Sequence, residues 1–330
     1  MPKWIYPACQ SQIKADSVCV FCAFYAIIPI AMNLSGILVA FIGPMAHAVS
    51  NIFDAYVSGT VFKRIPTTIF YVNLTNILGI LCLPLFGPIH SLSLSAWLFV
   101  LLLSIINVGY QFPYYAALNK TDTSVVAALF QLEKVFIPLW AFLIVGEVLH
   151  PVQYAGFGII ILFSLLLNIN PKANIKINTG FWLMCLTAII LSFDGAFYKA
   201  LLGHTDWVSA AFWVAVISFV VQFMMVFYRP VRTDIVKNFG KYRKKFGMFL
   251  FVEFFDQIGS FSPIFALSLI PVLVDSGIQS VQPIFVALYG VILARFFGKR
   301  FREDISRGAM IKKILCFIMI GVGVMMTLIS

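Results

Sequence analysis

The chain is a succession of long apolar runs separated by short polar joints. Nearly unbroken apolar stretches cover about 34 to 60, 68 to 88, 94 to 118, 123 to 146 and 151 to 169. A second set covers about 178 to 202, 206 to 228, 247 to 270, 273 to 296 and 311 to 329. A helix needs roughly 20 apolar residues to cross a hydrocarbon core, so each stretch has the length of one span. The pattern predicts an all-α fold, a polytopic membrane helix bundle of about ten transmembrane helices. A shorter apolar stretch, Ser17 to Ala31, precedes the first set. It reads equally well as an additional span, an interfacial segment or a signal-like run, and Met32 directly after it is an alternative start.

Composition agrees: 61% of the 330 residues are hydrophobic, 11% are charged and the mean hydropathy is +0.97. No water-soluble domain of this length needs so much apolar surface. The net charge of +10 would suit nucleic acid, but the position of the basic residues argues for a membrane and against nucleic acid. Lys63, Arg64, Lys120, Lys172, Lys176, a cluster from Arg229 to Lys245 and another from Lys299 to Lys313 fall in the joints after the odd-numbered spans. The joints after the second, fourth, sixth and eighth spans carry no Lys or Arg. This asymmetry places the basic joints in the cytoplasm and Ser330 outside. Lys3 and Lys14 lie inside if Ser17 to Ala31 spans. The stretch from Arg229 to Lys245 interleaves basic and aromatic residues, a pattern that attracts RNA or anionic lipid; the simpler expectation is a loop that anchors topology. Cys19, Cys22, Cys82, Cys185 and Cys316 sit in apolar runs, which argues against a disulfide framework.

Five spans followed by five suggest an internal repeat. A shift of 149 residues lays Ala117-Leu118 over Ala266-Leu267, Val135-Phe136 over Ile284-Phe285 and Leu139 over Leu288, and brings Pro113 within one residue of Pro263. Ile52-Phe53-Asp54-Ala55 also resembles Ser192-Phe193-Asp194-Gly195. Related sets of five helices have opposite orientations, so the expectation is two inverted five-helix repeats.

An ionisable group at the bilayer centre costs on the order of 3 kcal/mol on permissive scales, so each one demands a partner or water. Apart from Asp206, Arg295, Lys312 and Lys313 at the span ends, eight charged residues fall within the spans: Asp54, Glu133, Lys134, Asp194, Lys199, Glu253, Asp256 and Asp275. Lys199 and Asp275 lie nearest to span ends, where snorkelling to the interface is expected. Residues three, four and seven apart share a helix face. By that rule His47, Asn51 and Asp54 form one stripe, and Ser104, Asn107, Gln111 and Tyr114 a second. Glu253, Asp256, Gln257 and Ser260 form a third, and Asp275, Gln279 and Gln282 a fourth. The 149 shift superposes Ser104, Asn107 and Gln111 on Glu253, Asp256 and Ser260, as expected of two polar faces bordering one wet chamber. Six acids against two lysines make that chamber anionic, which suits a cationic or zwitterionic solute and also proton coupling, since a neutral carboxyl is easier to bury. Glu133 and Lys134 project about 100° apart on a helix and are expected to seek partners elsewhere, Lys134 being a candidate anchor for a substrate carboxylate. A buried ion-pair network that only fixes packing is the alternative.

Spans two, five, seven and ten read as apolar scaffold. Pro44, Pro113, Pro138, Pro263, Pro271 and Pro283 suit bends or hinges, and Gly156-x-Gly158 and Gly321-x-Gly323 suit close helix approach. Asn73-Leu-Thr75 matches a glycosylation sequon but lies in an apolar run. The four histidines are scattered, and no phosphate loop, nucleophile elbow or zinc spacing occurs. The expectation is therefore no cofactor, no metal and no enzyme.

Tyr114-Tyr115-Ala-Ala-Leu118, Ser124-Val-Val-Ala-Ala-Leu129, Val135-Phe136-Ile-Pro-Leu139, Val145-Gly146-Glu147 and Gly156-Phe-Gly158 together resemble the third to fifth helices of the drug/metabolite transporter superfamily, in its EamA-like ten-helix branch. Phe265-Ala-Leu267 and Ile278-Gln-Ser-Val-Gln-Pro-Ile-Phe285 look like the second copy, and Asn51-Ile-Phe-Asp54 looks like one subgroup's Asn-x-x-Asp motif. The resemblance implies an EamA-like repeat over 34–169, a linker over 170–177 and a second repeat over 178–330, after an N-terminal segment over 1–33. Lys134 stands where the family usually has proline, which Pro283 keeps in the second copy, and the outward C-terminus differs from the cytoplasmic termini usual among relatives. What it implies is a multi-pass cell-membrane protein of bacterial inner-membrane type. It would be a secondary transporter that moves a small polar metabolite, such as an amino acid, cation or drug, by alternating access with protons as coupling ion. Asp54, Asn107, Gln111, Glu133, Lys134, Asp194, Glu253, Asp256 and Gln282 are the expected substrate-binding residues. The alternatives are a non-transporting receptor or assembly protein on this fold, and a lipid or nucleotide-sugar carrier.

Overall fold

The computed structural model describes residues 34–53, 64–74, 76–118, 120, 129–130, 132–148, 150–168, 179–282, 284–286, 288–289, 292 and 307–328. Asp54, Pro283, the segment 1–33, the 170–177 linker and the start of the fourth span lie outside the described residues. Among those described there is no strand, as lipid requires of any chain that does not close into a barrel.

The elements follow the apolar runs. The first span is α1 (Leu34–Phe53). The second is α2 (Ile65–Leu74) and α3 (Ile77–Cys82), and the third is α4 (Leu94–Gly109) and α5 (Gln111–Leu118). In the fourth, α6 (Glu133–Trp140) runs into a π turn at Ala141–Val145. The fifth is α7 (Pro151–Asn168), the sixth is α8 (Thr179–Ser192) with α9 (Asp194–Leu202), and the seventh is α10 (Trp207–Phe223). Then come α11 (Arg229–Leu267), α12 (Val272–Gln279) and α13 (Arg307–Leu328). Five helices are long and apolar enough to cross a membrane among the described residues.

Local chemistry sets the ends. The Ser93 hydroxyl accepts from the Ala96 amide at the start of α4, and the Asp206 carboxylate accepts from the Ser209 amide at the start of α10. Both are N-caps that satisfy amides the helix itself leaves free. Gly146 closes the fourth span at φ 73°, a left-handed turn that glycine adopts without a Cβ clash. The expected loop over Arg229 to Lys245 is instead helix: α11 is 39 residues long, about 58 Å at 1.5 Å per residue. Its basic and apolar residues recur at helical spacing, so nothing stops the helix before the span begins.

Two apolar cores hold the bundle. One joins α4, α6, α9, α10 and α12 around Leu103, Ile137, Leu201, Val214 and Leu273. The other joins α1, α7, α11, α12 and α13 around Ala40, Ile160, Ala266, Ile278 and Ile320. The outer faces stay apolar, with Leu98, Ile105, Trp182 and Met325 each well exposed, as expected where the surrounding medium is lipid rather than water. Where α7 crosses α13, a Cβ at Gly156 would sit 2.7 Å from the Gly323 carbonyl, and one at Gly323 would sit 2.8 Å from the Gly156 carbonyl. Gly158 and Gly321 face open space. Each expected glycine pair therefore contributes a single contact residue.

Gly156→Ala or Gly323→Ala is expected to cost about 1–3 kcal/mol through overpacking, read as a lower Tm in detergent, with Gly158→Ala and Gly321→Ala leaving Tm unchanged. Asp206→Ala is expected to cost about 1 kcal/mol as a lost cap. Partial burial opposes ionisation of Asp206, but bonds from the Ser209 hydroxyl and the Ser209 and Val208 amides outweigh it and hold the carboxyl below the ordinary aspartate range. That contribution is complete above the unfolded value of about 3.9 and is lost as pH falls through the lower folded value. Unfolding of wild type and Asp206→Ala should therefore converge in acid.

Candidate functional site

Polar groups meet in two places inside the bundle. The first is the seam where α1 lies against α11. His47 Nδ1 and Asp256 Oδ1 are 3.2 Å apart, and the Ser50 hydroxyl donates to the same oxygen at 3.3 Å. The His47 ring rests on Gly259, where a Cβ would come within 2.6 Å of Nδ1. One turn away Gln257 donates to Glu253 Oε1 at 2.8 Å and to the Asn76 side chain between α2 and α3. Gly79 of α3 leaves the space that Gln257 fills. Asn73 of α2 donates to Gln111 Oε1 at 3.2 Å, which extends the polar seam to α5.

The second place lies among α6, α9 and α12. Glu133 and Lys134 form an ion pair with each other. Asp194 is within electrostatic reach of Glu133, Lys134 and Asp275, and Asp275 of Lys134 and Lys199. Asp275 is buried and accepts from Gln279 at 3.3 Å. Asp194 Oδ1 is buried with no hydrogen-bond partner among the described residues. Trp140 stacks on Phe193 with ring centroids 4.1 Å apart and donates to Ser192 at 2.8 Å, which fixes α6 against the sixth span.

Beside this cluster the turn between α11 and α12 is clamped by charge. Lys199 Nζ donates to the Leu267 and Ile270 carbonyls at 2.6 and 2.8 Å. Both Glu147 oxygens lie 3.0 Å from the Val272 amide that opens α12. A cation at a helix C-terminus and an anion at an N-terminus both match the helix dipole. Burial pushes the Glu147 carboxyl above its ordinary range, and the Val272 amide, Lys199 and the Leu273 amide only partly offset it.

Three expectations need correction. The Glu133 and Lys134 side chains reach each other despite projecting apart, because the four-carbon lysine stem folds back along the helix surface. Asp275 and Lys199 do not snorkel: both turn inward, one to Gln279 and one to carbonyls that the Pro271 break leaves free. The second span is not plain scaffold, since Asn73 and Asn76 bond Gln111 and Gln257. Asn73, the first residue of the sequon, is buried.

Of the remaining expected residues, Asn107 lies beside Tyr198 of α9 and its carbonyl accepts from Gln111 at 2.8 Å. Glu253 and Asp256 share the α1 seam, and Glu133, Lys134 and Asp194 share the second cluster. Gln282 is partly buried just past α12, and Asp54 lies outside the described residues. Phe70, Asn73, Leu74, Phe219 and Phe223 line a shallow dent with no room for a water molecule, and it contains none of the expected residues. His47, Glu147, Lys199 and Asp275 were missed as site residues. His47 did stand in the Asn51 stripe, and the Pro271 break was the signal that a charged brace would be needed nearby.

Residues 34–169 match the model of the EamA-like transporter family. They belong to that family, and with it to the drug/metabolite transporter superfamily. Members of that family are transporters, and the chain is a multi-pass membrane protein. No curated protein matches the sequence. One solved crystal structure of a protein superposes with a TM-score of 0.61 over 87% of this chain and 96% of its own, at 14% identity. Likeness at that identity shows the fold alone, and it extends well beyond residues 34–169.

Lys199→Met and Glu147→Gln should each cost about 1.5–3 kcal/mol, the range for hydrogen bonds to charged groups. A double-mutant cycle on unfolding in detergent should return a coupling of at least about 0.5 kcal/mol. Strict additivity would mean that the two braces act independently.

Proposed function

We propose that the protein is a secondary transporter that carries a small cationic or zwitterionic metabolite by alternating access between two inverted five-helix halves, 34–169 and 178–330. The observation that carries this is the cluster of Glu133, Lys134, Asp194 and Asp275, which joins helices from both halves and leaves a buried Asp194 oxygen without a donor among the described residues. Acids outnumber bases there, and an ammonium group on a solute supplies what Asp194 lacks. A phosphate-rich cargo, such as a nucleotide sugar, would meet repulsion from the same carboxylates.

Pairings across the bundle support the inverted repeat. The 149-residue shift that lays Asn107 on Asp256 also lays Asn73 on Gln222, and both of the latter are buried polar residues. Asn107 lies beside Tyr198 in the first helix of the second half, while Asp256 meets His47 in the first helix of the first half. The third span of each half thus contacts the first helix of the other. In this reading His47 and Asp256 hold the coupling proton, and Asp194 and Glu133 with Lys134 engage the solute. Asn107, Gln111, Glu253, Gln282 and Asp54 line the route.

A thermal-stabilisation screen of purified protein against amino acids, amines and phosphorylated sugars identifies the ligand class, since a ligand raises stability according to its binding. Uptake of the hit into proteoliposomes should fall about 10- to 100-fold in Asp194→Asn, as expected for loss of a charged bond of about 1.5–3 kcal/mol, with Tm retained. Asp256→Asn should abolish the response to an imposed proton gradient. Normal gradient-driven uptake by both variants would reject these assignments.

A further inference from the structure

The strongest charged surface that the transport reading leaves unused is the first half of α11. Residues 229–245 hold seven basic side chains and a single acid, Asp234. Val231, Ile235, Tyr242, Phe246 and Phe249 recur at helical spacing on one face and pack with Phe70 and Tyr71 of α2. Asp234 is engaged on that face, accepting from Asn238 at 2.8 Å and from Tyr242 at 3.2 Å. The outer face keeps its positive charge: Arg229, Arg232, Lys237, Arg243 and Lys244 are exposed. Between them Val236 is 72% and Phe239 57% exposed.

Ring contacts show how this stretch lies. Trp207 meets Phe265 at 5.2 Å, so Phe223 and Phe249, each sixteen residues from that contact, lie at about the same depth, roughly 24 Å away. Phe70 touches Phe223 while its neighbour Tyr71 touches Tyr242 and Phe249, which places them at one level independently. Arg229 follows Phe223 by six residues, four of them in the 3-10 turn Met224–Phe227. It therefore starts within about 12 Å of that level. Residues 229–248 are about 30 Å of helix that begins and ends near the same depth. Helix runs on unbroken into the span, so α11 must bend near Met248 for its first part to lie across the membrane face rather than stand out from it.

A helix in the interfacial plane with lysine and arginine beside exposed Val and Phe has the form that binds an anionic leaflet. We propose that residues 229–246 are a docking surface for anionic lipid, with headgroup phosphates held by Arg232, Lys237, Arg243 and Lys244 and with Val236 and Phe239 entering the acyl boundary. The joint carries the basic side of the chain's charge asymmetry, so the leaflet is the cytoplasmic one.

The test is equilibrium titration of the detergent-purified full chain with fluorescent phosphatidylglycerol and, in parallel, phosphatidylcholine. Wild type should prefer phosphatidylglycerol. Arg232→Gln with Lys244→Gln should weaken that binding about 30-fold, from about fivefold per basic residue near the surface, with phosphatidylcholine unchanged. Raising salt on wild type should weaken phosphatidylglycerol binding in the same way, which reads the surface without any variant. Equal binding of the two lipids, a preference that survives the double variant or high salt, or retention of RNA with no lipid preference would each overturn the proposal.

Discussion

Inside a bilayer a polar group has no water to fall back on, and its cost is set by what the protein places beside it. Most described charges in the spans of this chain turn toward another polar group. His47 meets Asp256, Glu133 meets Lys134, Asp275 meets Gln279 and Lys199 meets two open carbonyls. The outer faces carry Leu, Ile, Phe and Met instead. Polar groups thus collect into seams between helices, and those seams are where chemistry is available.

The two seams are satisfied to different degrees. Along α1 and α11 Ser50 and His47 partner Asp256, and Gln257 donates to both Glu253 and Asn76. Among α6, α9 and α12 the matching is incomplete, and an Asp194 oxygen is left over among the described residues. A half-satisfied network is a poor way to hold a fold together, which is why the second seam carries the functional proposal. The clamp formed by Glu147 and Lys199 fits the same logic. Pro271 ends one helix and α12 begins another within the bundle, and the carbonyls and amides so exposed find charged partners rather than lipid.

The ends of the spans obey a different solvent. At the start of α11 aromatic residues close one helix face onto α2, and the basic residues remain outside. Helix continues through a stretch whose composition resembles a loop, because its apolar residues still recur at the helical period.

Much was legible from the sequence alone. Apolar runs of bilayer length determined the all-helical class and the approximate span positions, and the motifs around Tyr114 to Gly158 pointed to the family that residues 34–169 match. Stripes at three, four and seven residues named the seam residues of α5 and α11. What the sequence could not decide was who meets whom. Helical spacing says that Glu133 and Lys134 project apart, but a flexible side chain bridges that angle. Nearness to a span end suggested that Lys199 and Asp275 escape to water, whereas the break at Pro271 creates open backbone groups that draw Lys199 inward. Of four glycines with the same local pattern, only Gly156 and Gly323 sit at the crossing of α7 and α13. Periodicity is a property of one helix and is written in its own residues. A partner depends on the rotation and depth at which two helices pack, and only the tertiary structure sets those.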